Sequence, residues 1–257
     1  MNKKNLNNSL FCQLTKCLSV CLVAVVAFLT SGLTFADEST RVEKTRITLG
    51  GKFRSLNWKG QNKSTEISEF ETDTSSLSIS ASIQQKAWYA GMRFTGGEYD
   101  FSDGIPAIEP NITDGANGSG QVGRSEFDLV FGYYFWPRVS IFGGVKALTH
   151  EFEEQNHKLG FNGVSLGVSG YYPFSDLWWL YGSLAFTNLN IKHEDDDLGS
   201  SNGSAAEIGF IYIINSRSRF TASLIGQSQN NKYDNGDDQT HNLGGIGFGY
   251  SHSLSFF

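Results

Sequence analysis

From Arg46 to the last residues, apolar side chains recur at every second position. A helix would space them by three and four, so a period of two marks strands with one apolar face. "RITLGGKF" sets Ile47, Leu49 and Phe53 against Arg46, Thr48, Gly50 and Lys52. "LSISASIQ" sets Leu77, Ile79, Ala81 and Ile83 against Ser78, Ser80, Ser82 and Gln84. "EFDLVFGYYF" places Phe127, Leu129, Phe131, Tyr133 and Phe135 on one side, and "EIGFIYII" does the same with Ile208, Phe210, Tyr212 and Ile214.

The pattern predicts ten strands, near 46–57, 75–84, 87–101, 126–135, 139–152, 160–174, 177–192, 204–215, 218–232 and 241–256. Eight or twelve strands fit the same alternation. Short turns fall at Gln85-Lys86, Trp136-Pro137-Arg138, Ser175-Asp176 and Ser216-Arg217. Longer polar stretches, read as loops, cover 58–74, 102–125, 153–159, 193–203 and 233–240. Short turns at one end and long loops at the other are expected of a closed antiparallel barrel that crosses an outer membrane.

Soluble sheets alternate too, so alternation alone does not choose between them. The face opposite the apolar one is rich in Gly and Ser, as in Ser78/Ser80/Ser82 and Gly245/Gly247/Gly249. Small side chains suit the narrow inside of a small barrel. Aromatics gather beside the short turns: Trp88, Trp136, Trp178 and Trp179, with Tyr133, Tyr134, Tyr171, Tyr172 and Phe174. Rings with one polar edge settle at a bilayer interface. In hydrocarbon an unpaired backbone group costs several kcal/mol, which leaves closure into a cylinder as the way for strands to cross.

The first 36 residues read as a signal peptide: "MNKK", an apolar core at 18–29, then "TFA" before a cut after Ala36. A lipoprotein site at Cys21 is disfavoured, because bulky Val20 precedes it and the apolar run continues past it. Cleavage would remove Cys12, Cys17 and Cys21, all 3 cysteines of the chain. No disulfide or thiolate metal site is then expected in residues 37–257, read as the barrel domain. Lys3, Lys4 and Lys16 leave as well, so 20 basic residues fall to 17 against 26 acidic ones. That balance gives no footprint for nucleic acid.

Signal peptide, alternating strands, aromatic girdles and an aromatic final strand together resemble the small outer-membrane β-barrel proteins of Gram-negative bacteria, the porin-like and OmpA-type superfamily. The resemblance spans about 46–257, and its markers are architectural. It implies that the closing strand "IGFGYSHSLSFF" carries an assembly signal, Tyr250, Leu254, Phe256 and Phe257, read by the barrel-assembly machinery. With Phe256 as reference the phase is regular except at His252.

Six charges fall on the inward face: Lys52, Arg54, Arg93, Asp128, Lys146 and Glu207. Counting from the short turns puts Arg93, Asp128 and Lys146 level on neighbouring strands. One carboxylate between two cations predicts a salt-bridged plug, because a buried charge is costly unless paired. An ion path or binding site is the functional alternative.

Other candidates are weaker. Glu194–Asp197 and Asp234, Asp237 and Asp238 are carboxylates of the kind that bind Ca²⁺ or Mg²⁺, but they lack the calcium-loop pattern and read as solvated loops. His150, His157, His193 and His241 have no zinc spacing. His150 with Glu151 and Glu153 suggests hydrolysis, and His252 lies between Ser251 and Ser253, but adjacent residues in a strand face opposite ways. "GANGSG" at 115–120 lacks the ending of a phosphate loop.

The expected function is therefore non-enzymatic and without cofactor or metal: envelope structure or adhesin-like surface interaction. The expected partners are outer-membrane lipid, lipopolysaccharide, and a host or protein ligand at the loops. A narrow solute pore is the alternative, and a barrel-embedded hydrolase the third reading.

Overall fold

The structure, a computed structural model, describes residues 42–63, 67–102, 104–106, 119–153, 157–193 and 196–256. The signal-peptide reading and Phe257 lie outside the described residues. The strands are β1 (Val42–Lys63), β2 (Ile67–Lys86), β3 (Trp88–Phe101), β4 (Gly120–Trp136), β5 (Val139–Phe152), β6 (His157–Pro173), β7 (Trp178–His193), β8 (Asp196–Ile213), β9 (Ser218–Tyr233) and β10 (Asp238–Phe256). Each pairs antiparallel with its chain neighbour, and β1 closes on β10, from Thr45 opposite Phe256 to Lys63 opposite Asp238. Closure gives every strand two ladder partners and leaves no edge.

Ten strands are present, but they are longer than the alternation predicts at the loop end. The stretch 58–74 is mostly ladder: Trp58 lies opposite Thr72 and Gly60 opposite Phe70. Residues 196–203 are likewise ladder, with Ser201 opposite Leu189. Only the β3–β4 connection stays long.

The reason is a change in which face is apolar. In the half next to the short turns, the outward side chains are apolar: Leu49, Phe53, Leu77, Ile79, Ile83, Met92, Phe127, Leu129, Phe131, Val164, Leu166, Leu224, Ile246 and Phe248 are exposed. Ile79, 61% exposed, is typical. The same faces continue toward the loop end as Ser55, Asn57 and Lys59 on β1 and as Ser75, Asp73 and Glu71 on β2. There the inward side carries a buried apolar core that includes Leu56, Trp58, Phe70, Tyr99, Phe101, Val122, Leu148, Phe152, Leu159, Phe161, Leu189, Ile191, Tyr233 and Leu243, while β8–β10 add buried polar groups such as Ser201, Gln229, Asn231, Gln239 and His241. One half is built like a membrane barrel. The other is built like a small soluble barrel, filled inside and wetted outside.

Gly60 shows how tightly the filled half is packed. A Cβ there would lie 2.0 Å from the Phe70 ring and 2.3 Å from the Thr240 carbonyl oxygen, so only glycine lets that ring lie across β1.

Candidate functional site

The described chemistry lies inside the barrel, in two layers. The lower layer is ionic. Counting two residues per step keeps Arg93, Asp128 and Lys146 inward, and register sets Arg93 opposite Asp128 and Asp128 opposite Lys146. Arg93 donates to Asp128 Oδ2 through Nε at 3.1 Å and Nη2 at 2.7 Å. Lys146 Nζ donates to Asp128 Oδ1 at 3.1 Å and to Glu126 Oε2 at 2.6 Å. Arg124 Nε and Nη2 then reach Glu126 Oε1 at 2.9 and 2.7 Å. The result is an alternating chain, Arg93–Asp128–Lys146–Glu126–Arg124, running along and across β3, β4 and β5.

Lys52 and Glu207 form a second pair across the lumen, with the Tyr181 hydroxyl donating to the same carboxylate. Arg54 points inward with them, and among the described residues it makes no ion pair. Glu126, Arg124 and Tyr181 are absent from the sequence-derived set. Arg124 and Glu126 sit where β4 enters the filled half, in a segment read as the loop 102–125 and its border. Their inward phase with Asp128 was the available signal.

The upper layer packs buried aromatic and polar side chains across the lumen. Trp58 packs edge-on against Tyr99 at 4.7 Å and Phe101 at 5.5 Å between centroids, and tilts on His150 and His241. The Arg124 guanidinium lies over the Trp58 ring at 5.1 Å and joins the two layers by a cation–π contact. The indole N–H of Trp58 donates to His241 Nδ1 at 3.1 Å. Because an indole only donates, Nδ1 must accept, and the remaining proton sits on Nε2. Nε2 donates to Gln239 Oε1 at 2.6 Å, and Gln239 Nε2 donates to Asn62 Oδ1 at 2.6 Å. Asn62 Nδ2 in turn donates to the Ile105 carbonyl at 3.2 Å, tying the start of the β3–β4 connection to the interior. This layer lies above the apolar belt. Burial, with Arg124 nearby, pushes the His241 imidazole down to about 3. Burial, Arg124 and His241 together hold His150 well below the ordinary histidine range.

Trp88, Trp136 and Trp178 are outward and exposed beside the short turns. Trp179 is not part of that ring: strand alternation turns it into the lumen, where it stacks on Tyr171 at 5.1 Å with Arg219 over its face. Tyr250 and Leu254 are outward, and Phe256 pairs with Thr45 through the backbone. His252 does not engage its serine neighbours; its Nδ1 lies 3.1 Å from Ser218 Oγ on the adjoining strand. His150 and Glu151 diverge as well, His150 inside and buried, Glu151 paired with Lys158 outside. His157 and His193 meet at the rim at 3.1 Å. Glu194 and Asp195 lie outside the described residues, and Asp197 pairs with Lys192. Among the described residues no three His, Cys, Asp or Glu side chains gather as a metal site.

The outer membrane protease OmpT from Escherichia coli superposes with a TM-score of 0.50 at 10% identity, over 82% of this chain and 97% of that one. The fold is that of outer-membrane β-barrels. An outer membrane channel from Pseudomonas putida F1 is also similar, with a TM-score of 0.46 at 8% identity, over 86% of this chain and 100% of that one. The translocator domain of the autotransporter NalP from Neisseria meningitidis gives 0.38 at 13%, over 91% and 96%. No protein-family model matches the sequence, and neither does any curated protein.

Proposed function

We propose that this chain is an integral, non-enzymatic outer-membrane protein whose sealed barrel top stands above the bilayer as a rigid support for surface contacts. One observation carries the reading: the outer face of the wall changes from apolar to polar part-way along every strand, where buried side chains pack the inside. An apolar outer surface is stable in hydrocarbon, and a polar one over a filled interior is stable in water. The lower half therefore belongs in lipid, and the upper half outside it.

The upper wall offers neutral amides on one side, with Asn188 bonded to Asn202 at 2.8 Å. On the other side an open hollow is lined by Glu98, Asp100, Glu151 and Glu153. Lipopolysaccharide headgroups, a host ligand or another protein are the partners such a wall would meet. The barrel-assembly machinery would read the closing strand during biogenesis. Trp58 and its neighbours favour a closed lumen over a solute path. The shared fold with a protease carries no activity, and the diverging His150 and Glu151 give a hydrolase reading no support.

The test is topological. With single cysteines at Lys59, Ile79 and Arg217, a membrane-impermeant maleimide should label Lys59→Cys on intact cells. Arg217→Cys should react only after the outer membrane is breached, and Ile79→Cys in neither case. Labelling of Ile79→Cys on intact cells, or equal labelling of all three, would overturn the placement. Steady single-channel current from the unmodified protein in planar bilayers would overturn the closed-lumen reading.

A further inference from the structure

The two interior layers do not meet without a gap. Between them lies a cavity of about 20 Å³, walled by Arg54, Ser76, Tyr99, Arg124 and Glu126 and roofed by Leu56 and Leu243. A space of roughly 10–15 Å³ on this measure already admits one water-sized species. Arg54, Ser76 and Arg124 are 8%, 4% and 3% exposed, so solvent does not serve them. Yet Arg54 Nε, Arg124 Nη1 and Ser76 Oγ are buried there without a hydrogen-bond partner among the described residues. Three potential donors from β1, β2 and β4 therefore surround one small space.

Charge points the same way. Glu126 also lines the cavity, but Arg124 occupies its Oε1 and Lys146 its Oε2. The alternating chain begins and ends on an arginine, so it holds three cations to two carboxylates. Lys52 is matched by Glu207, and Arg54 has no carboxylate. Arg93 is 42% exposed and open to water, so the enclosed groups, Lys52, Arg54, Arg124 and Lys146 against Glu126, Asp128 and Glu207, carry one positive charge beyond their carboxylates. A water molecule could accept the hydrogen bonds but not offset the charge, whose burial without a counterion is costly. One excess charge calls for one monovalent anion, and the small cavity favours a compact one.

We infer that the cavity between Arg54 and Arg124 is a binding site for one monovalent anion of halide size, held inside the barrel as a structural counterion. The ion accepts from both guanidinium groups and the Ser76 hydroxyl, and it ties the ionic layer to the aromatic one through Arg124. This site is independent of whatever the outer wall contacts.

The test uses the full-length mature barrel, folded in detergent with sodium chloride or with sodium gluconate at equal ionic strength. Chloride should raise the melting temperature by several degrees over gluconate, whose anion cannot enter. Arg54→Met should fold equally in both salts and show no difference between them. Coincident melting of the unmodified protein in the two salts would overturn the inference. Should Arg54→Met not fold, crystals of the unmodified protein grown in bromide decide the matter. An anomalous peak within contact of both guanidinium groups is the expected result. Density there without an anomalous signal identifies water and overturns the proposal.

Discussion

Trp58 and His241 are joined by a single hydrogen bond, indole N–H to Nδ1 at 3.1 Å, that fixes the imidazole as the neutral Nε2–H tautomer at the head of a buried amide network. The bond makes a titratable group part of the seal.

Acid should therefore loosen the barrel top. His241 is depressed from 6.5 to about 3 by burial, with Arg124 adding to it. An unfolded chain takes up the proton first, so this contribution to stability is complete above about pH 6.5 and is lost progressively as pH falls toward 3. The slope is about 1.4 kcal/mol per pH unit for one such group. Hydrogen exchange at Gln239–Leu243 should accelerate at least tenfold per unit between pH 6 and 4, corrected for intrinsic rates. His241→Asn should reduce that dependence to the part His150 contributes.

Trp58→Ala should cost about 3–5 kcal/mol, the usual range for emptying a buried aromatic site. Urea unfolding in detergent would read this as a lower midpoint with an unchanged slope. The same variant should give transient current in bilayers if the indole closes the lumen.

The two acidic links of the ion chain should differ in weight. Glu126 joins Arg124 and Lys146, whose side chains are 2% and 7% exposed. Glu126→Gln therefore leaves two buried cations poorly matched and should cost about 3–5 kcal/mol. Asp128→Asn should cost less, because Arg93 is 42% exposed and water can solvate it. Equal losses for the two variants in equilibrium unfolding would contradict the chain as described.

Arginine scanning along the outer wall of β2 should show a step. Ile79→Arg, inside the apolar belt, should cost about 2–4 kcal/mol in lipid vesicles. Ser75→Arg, four residues on and facing the same way, should stay within about 0.5 kcal/mol. Breaking the exposed Lys59–Glu71 pair by Lys59→Ala should likewise cost under about 1 kcal/mol.

Strand type and number were legible in the sequence because one rule, apolar outward, holds through the lower half. Leu49, Ile79 and Phe131 obey it, and counting from the tight turns sets Arg93, Asp128 and Lys146 at one height. The same rule fails at "NWKGQNK" and "EFETDT", where Trp58 and Phe70 go inward while Lys59 and Glu71 face out. Period two persists there, but read with a fixed facing it looks like polar loop. Trp58, Arg124, Glu126 and His241 were invisible as a group for that reason. Their contacts depend on the register of strands far apart in sequence, which only closure of the cylinder determines.

The change of facing also sets a waterline. Two residues advance about 6.8 Å along a strand, and roughly 5 Å along the bilayer normal for strands tilted by about 40°. A barrel riding that much too deep would carry Asp73 and Ser75 toward hydrocarbon, and one riding too high would lift Leu77 and Phe53 into water. Either displacement is opposed on all ten strands at once. The chain thus encodes its own draught in the bilayer, and the height at which its loops are held needs no other anchor.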